Sequence, residues 1–152
     1  MLRVIVIFFG FVMSVLIIGV MATSVPAIAH KGATGIIKER MDEFSNAKQQ
    51  MKALRAAIAG GDLDKVAQIS DEMKIWGASM QDSFPIGSDT APSQAAPTIW
   101  TDKEGFNIAV STYAQAIDAL TIAALSQDTQ ASLQAFGALG AACSGCHKGY
   151  RK

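Results

Sequence analysis

The chain has 152 residues, with 13 basic and 13 acidic side chains and hence a formal net charge of zero. That length fits one domain, and the absence of a basic excess argues against nucleic acid as a partner, because a phosphate backbone needs a cationic face. Two cysteines and two histidines are too few for a disulfide framework, a thiolate-rich zinc site or most multi-histidine metal centres.

Half of the residues are hydrophobic, and the N-terminus holds a large share of them. Met1 to Arg3 gives a positive start, and Val4 to Met21 is apolar apart from Ser14 and two glycines. Ala27-Ile28-Ala29 then offers a small-x-small cleavage site. This order of segments is that of a secretory signal peptide over residues 1–29, leaving His30 to Lys152 as the mature domain and placing it in the periplasm of a Gram-negative cell. The alternative is an uncleaved membrane anchor, since 18 residues nearly span a bilayer.

In the mature chain, apolar residues recur at Ile37, Met41, Phe44, Met51, Leu54 and Ile58, a helical stripe running from about Thr34 to Ala59. Gly60-Gly61 stops it and Asp62 can cap the next helix, striped by Val66, Ile69, Met73, Trp76 and Met80. Asp82 to Trp100 contains Pro85, Gly87, Pro92 and Pro97 and reads as a long loop, of a length that suggests packing or function. The third stripe is Phe106, Ala109, Tyr113, Ala116, Leu120 and Ala124, with Thr101 or Asp102 as its cap and Glu104 in its first turn. Asp128 or Thr129 opens the last helix, whose predicted stripe is Leu133, Phe136, Gly140, Cys143 and His147. Small residues from Ala135 to Ala142 allow close approach of a helix or a flat cofactor. The pattern predicts an all-α, antiparallel up-down four-helix bundle. Trp76, Trp100, Phe106 and Tyr113 are expected in its core and pocket, and Lys48, Lys52 and Arg55 on solvated surface.

The chemistry sits in Cys143-Ser144-Gly145-Cys146-His147. C-x-x-C-H is the pattern of covalent c-type haem attachment: two thiols three residues apart reach the two vinyl groups of one porphyrin as thioethers, and the adjacent imidazole is delivered to the iron. A single motif implies one haem per chain, near the C-terminal helix. Three other readings are open to a cysteine pair. A thioredoxin-like couple wants a βαβ setting, a zinc site needs a further ligand, and a disulfide closing so small a loop adds little stability.

With those residues in view, the chain resembles the cytochrome c′ and cytochrome c-556 group of class II c-type cytochromes. The resemblance spans the mature chain. It includes Ala135-Phe136-Gly137 through Cys143 to Arg151, the loop Phe84-Pro85-Ile86-Gly87-Ser88 with its ending Pro97-Thr98-Ile99-Trp100, and the first-helix segments Ile37-Lys38-Glu39-Arg40 and Met51-Lys52-Ala53-Leu54. It implies Cys143 and Cys146 as thioether anchors and His147 as the axial iron ligand. It also implies Arg40 as a contact to a haem propionate, Arg151 as the basic residue of the proximal side, and homodimers formed through the first two helices.

In low-spin relatives a methionine follows the first-helix arginine by four residues, whereas here that position is Phe44, which cannot bind iron. Phe44 is expected to cap the distal face, with Met41, one turn earlier, as the candidate sixth ligand. An apolar pocket without donors would accept neutral diatomics and disfavour anions. An enzyme would require distal acid–base groups, and none is expected. Two functions follow: one-electron transfer with periplasmic redox partners, or capture of nitric oxide or carbon monoxide by a five-coordinate haem.

Overall fold

The computed structural model describes residues 32–152; the signal segment, its cleavage site and His30 lie outside the described residues. Four long helices make up most of that stretch: α1 (Gly35–Gly60), α2 (Leu63–Ser79), α4 (Lys103–Leu125) and α5 (Thr129–Tyr150). A short α3 (Thr98–Thr101) precedes α4, and a 3-10 turn (Met80–Ser83) extends α2. The segment expected to be loop throughout therefore carries a helical turn at each end. The prolines confine the irregular backbone to the residues between them.

The boundaries follow local chemistry. α1 ends where Gly61 takes φ +72° and returns its N–H to the carbonyls of Ala57 and Ile58, a left-handed cap that glycine adopts without a Cβ penalty. Asp62, Asp102 and Asp128 each accept a backbone N–H in the first turn that follows, from Lys65, Gly105 and Ala131 at 3.0, 3.1 and 2.9 Å. Of the paired candidates named above, the aspartates rather than Thr101 and Thr129 are the caps.

Cross-helix partners fix the topology. Ser70 meets Thr121, Lys74 meets Asp118 and Gln127 reaches back to Asp64, so α2 and α4 run antiparallel. Phe44 of α1 lies against Trp76 of α2, and Phe106 near the start of α4 lies against Tyr150 at the end of α5. The chain is an up-down-up-down four-helix bundle.

Leu54, Val66, Ile117, Leu120 and Leu139 form the fully enclosed centre, each worth roughly 1.5–3 kcal/mol in removed apolar surface. α4 is long and apolar enough for a membrane span by composition, and here it is the central helix, packed along both α2 and α5. By contrast, α1 packs mainly on α2 and touches α5 only lightly. That gap between α1 and α5 is where the bundle opens.

The α5 stripe is rotated from expectation. Ser132, Leu139 and Ala142 are its buried residues, while Leu133 is 52% exposed. In a helix this rich in alanine and glycine, apolar periodicity is nearly uniform around the axis, and packing against α4 chooses the inner face.

Candidate haem site

A cleft of about 480 Å3 lies between α1 and the C-terminal end of α5, closed at the bottom by the 80–99 connection. Its walls are mostly apolar: Met41 and Phe44 from α1, Met80, Phe84 and Ile99 from the connection, and Phe106 from α4. Such a volume and lining suit a flat organic cofactor. The opposite wall carries Cys146, His147, Tyr150 and Arg151. Six residues singled out from the sequence (Arg40, Met41, Phe44, Cys146, His147 and Arg151) thus meet in one place, although they come from the first helix of the described chain and from the last helix and its C-cap.

Cys143 does not line the cleft. It sits one turn deeper on α5, half-buried against the bundle core. The two cysteines are not joined to each other by a disulfide. Burial raises the pKa of each above its usual value, and at Cys146 the neighbouring Cys143 adds to the effect. His147 shifts the other way: burial, and then the charge of Arg151, lower its pKa. The shift favours the neutral imidazole, the form that ligates a metal.

The Phe44 ring meets the His147 ring edge-to-face, at a centroid separation of 6.4 Å. Phe44 is propped edge-on against Trp76 at 4.7 Å and remains 37% exposed. Trp76 itself lines a separate groove between α1 and α2 rather than the cleft. Trp100 and Tyr113 pack into the core, leaving Phe106 as the only one of the four expected aromatics in the cleft wall.

Arg40 has a role that its sequence position did not reveal. It is 2% exposed, and its Nη1 donates to Ser83 O and Ser88 Oγ, each at 2.8 Å. Its Nη2 donates to Ser88 O at 2.6 Å and Ser93 Oγ at 2.8 Å. The guanidinium also lies over the Phe84 ring, 4.5 Å from its centroid. Burial lowers its pKa, with Asp89 acting in the opposite sense. Arg40 lines the cleft, but its Nη hydrogens organise the connection that forms the cleft floor. The serines at 88 and 93 were the available signal, small hydroxyls in a stretch too polar to be core.

The distal lining is also less apolar than expected. Ser45 and Lys48, both on α1, belong to it, so Lys48 stands at the rim of the cleft rather than on featureless surface.

The profile of the family described as Cytochrome C' matches residues 35–151. The chain belongs to the cytochrome c′ family. Cytochrome c' of Pararhodospirillum photometricum is 30% identical over 120 residues, covering 76% of this chain and 95% of that one. Cytochrome c-556 of Agrobacterium fabrum is 32% identical over 123 residues, covering 78% and 82%. Among solved structures, a nitric oxide complex of a mutant cytochrome c prime from Alcaligenes xylosoxidans superposes with a TM-score of 0.70 at 25% identity, covering 77% of this chain and 94% of that one.

The cofactor is haem c, covalently bound with its iron. The cleft fits it. Its lining is chiefly apolar, from Met41, Phe44, Met80, Phe84, Ile99 and Phe106, and Cys146 and His147 of the attachment motif stand in its wall, which are the surroundings that a flat, largely apolar macrocycle needs. The other readings of the cysteine pair lack support: among the described residues no three histidine, cysteine or acidic side chains gather as a metal site, and the pair lies inside an all-helical bundle with no βαβ unit among the described residues.

Proposed function

We propose that this cytochrome c′ family member is an exported one-electron carrier, its signal peptide removed after Ala29 and its domain released into the periplasm. The observation that carries the reading is the position of the attachment motif. Cys146 and His147 occupy the last turns of the last helix, beside a cleft whose rim residues Lys48, Gln94 and Arg151 are exposed. A redox centre there lies close to the molecular surface, where a partner can exchange electrons without entering the bundle.

When bound, the haem supplies an iron that alternates between ferric and ferrous states, one electron at a time. Cys143 and Cys146 would tether it as thioethers, and His147 would offer its imidazole to the iron. Phe84, Met80, Ile99 and Phe106 exclude water from the floor, which holds the site rigid through a change of charge. Arg40 keeps that floor in place and contributes a fixed positive charge that favours the haem carboxylates.

A second reading, capture of nitric oxide or carbon monoxide, is supported by Phe44. The ring that stands against His147 has no atom that ligates iron, so it would not compete with a diatomic for the metal. The relative from Alcaligenes xylosoxidans was solved as a nitric oxide complex, in line with that reading.

Voltammetry of the purified protein tests the first reading, with a reversible one-electron wave as the expected result. Replacing both Cys143 and Cys146 by alanine should abolish covalent haem and the wave together. An intact wave in the double variant would overturn the assignment. The intact mass of the exported protein separates cleavage after Ala29 from retention as an anchor.

A further inference from the structure

The C-terminal end of α5 is tied to the rest of the fold by an unusual number of bonds. Thr98 Oγ1 donates to Gly149 O at 2.6 Å. Ala96 N–H donates to Tyr150 O at 3.0 Å and Lys152 N–H to Gln94 O at 2.9 Å, with Ala95 and Arg151 paired as an antiparallel bridge. The Tyr150 hydroxyl donates to Asp102 Oδ2 at 2.7 Å. The other oxygen of the same carboxylate accepts Gly105 N–H at 3.1 Å. One side chain therefore joins the first turn of α4 to the last residue of α5.

The site is shaped for this bond. A Cβ at position 105 would lie 2.3 Å from Asp102 Oδ2 and 2.4 Å from the Tyr150 hydroxyl, so glycine there leaves room for both. The Tyr150 ring packs edge-on against Phe106 at 5.3 Å, and both rings line the cleft. Tyr150 follows His147 by three residues, which puts the two side chains on adjoining parts of one helical face. Holding the tyrosine at its hydroxyl and its ring fixes the roll of the turn that carries the imidazole.

We infer that Asp102 is a positioning residue for the axial ligand His147, acting through the Tyr150 hydroxyl. The inference rests on the haem assignment and goes beyond it, because neither the attachment motif nor the cleft assigns Asp102 a part. A latch that served stability alone would leave the iron–imidazole bond untouched. A positioning residue must alter it.

The test uses Tyr150→Phe and Asp102→Asn in the haem-loaded protein, read by the iron–histidine stretching frequency of the ferrous state in resonance Raman spectra and by the reduction potential. Tyr150→Phe keeps the ring on Phe106 and removes only the hydroxyl. Both variants should shift the stretch in the same direction, and the double variant should shift it no further than the larger single one. Asp128→Ala, which removes the cap at the far end of α5, should lower the melting temperature and leave the stretch at its wild-type value. An unchanged stretch and potential in both Tyr150→Phe and Asp102→Asn would overturn the inference, whatever happens to stability. Wild-type protein that takes up no haem would instead refute the underlying assignment.

Discussion

Phe44 and His147 stand on opposite walls of the haem cleft with ring centroids 6.4 Å apart and planes inclined at 67°. The relationship joins the residue expected to cap the distal face to the residue proposed as the iron ligand. It predicts that Phe44→Met will place a thioether where it can reach the metal and convert the spectrum to a low-spin form with a methionine–iron charge-transfer band. Phe44→Ala should leave the iron high-spin and raise the rate of carbon monoxide binding by about tenfold or more, equivalent to removing roughly 1.4 kcal/mol of barrier. Stopped-flow mixing of the ferrous protein reads that rate.

Arg40 should be the most sensitive surface-independent position in the cleft floor. Arg40→Ala leaves two serine hydroxyls and two carbonyl oxygens without their donor, a loss on the order of 3 kcal/mol. Arg40→Lys should recover little of it, because a compact ammonium cannot reproduce the planar fork that reaches all four acceptors. Denaturant unfolding of the holoproteins gives both differences.

Tyr150 gives the fold an alkaline dependence of known sign. Its pKa is raised from the usual value of 10.0 to about 12, first by the hydrogen bond to Asp102, then by burial. A raised folded-state pKa contributes stability that is fully present below the unfolded value and is lost as pH rises through the folded one. The difference in unfolding free energy between wild type and Tyr150→Phe should therefore be constant below about pH 10 and shrink toward pH 12. A gap that does not narrow over that range would contradict the bond. Tyr113 is also raised, by burial and then by Cys143, and its contribution cancels in this comparison.

Gly105→Ala should break the same contact from the other side. The added methyl would meet the Asp102 carboxylate and the Tyr150 hydroxyl, and moving them aside forfeits their hydrogen bond, a loss of about 1 kcal/mol. The melting temperature should fall, and the loss should be smaller in a Tyr150→Phe background, where the hydroxyl oxygen that the methyl would meet is gone.

The bundle was legible in the sequence because its signals are local. Gly60-Gly61, Asp62, Asp102 and Asp128 punctuate the helices within a few residues of each boundary, and the 3.6-residue period of α1, α2 and α4 survives a mixed composition. The attachment motif was legible for the same reason, since its three functional groups fall within five residues. Partnerships across the fold were not. The bonds of Arg40 to Ser88 and Ser93, and of Tyr150 to Asp102, join residues 48 to 53 positions apart, and nothing in composition or periodicity marks them. On α5 only part of the expected stripe, Phe136 and Cys143, packs against the core, because alanine and glycine give little contrast between one side of a helix and the other. Lys48 is exposed, as expected, and only its partners across the fold reveal that this surface is also the rim of the cleft.

The most direct test of the account is the optical spectrum of the purified protein in its ferric and ferrous states. Covalent haem ligated by His147 and faced by Phe44 predicts a five-coordinate, largely high-spin spectrum at neutral pH, without a methionine–iron charge-transfer band. Ferrous protein should bind carbon monoxide. A low-spin spectrum carrying that band would contradict the open distal face, and its disappearance in Met41→Leu would identify Met41 as the sixth ligand.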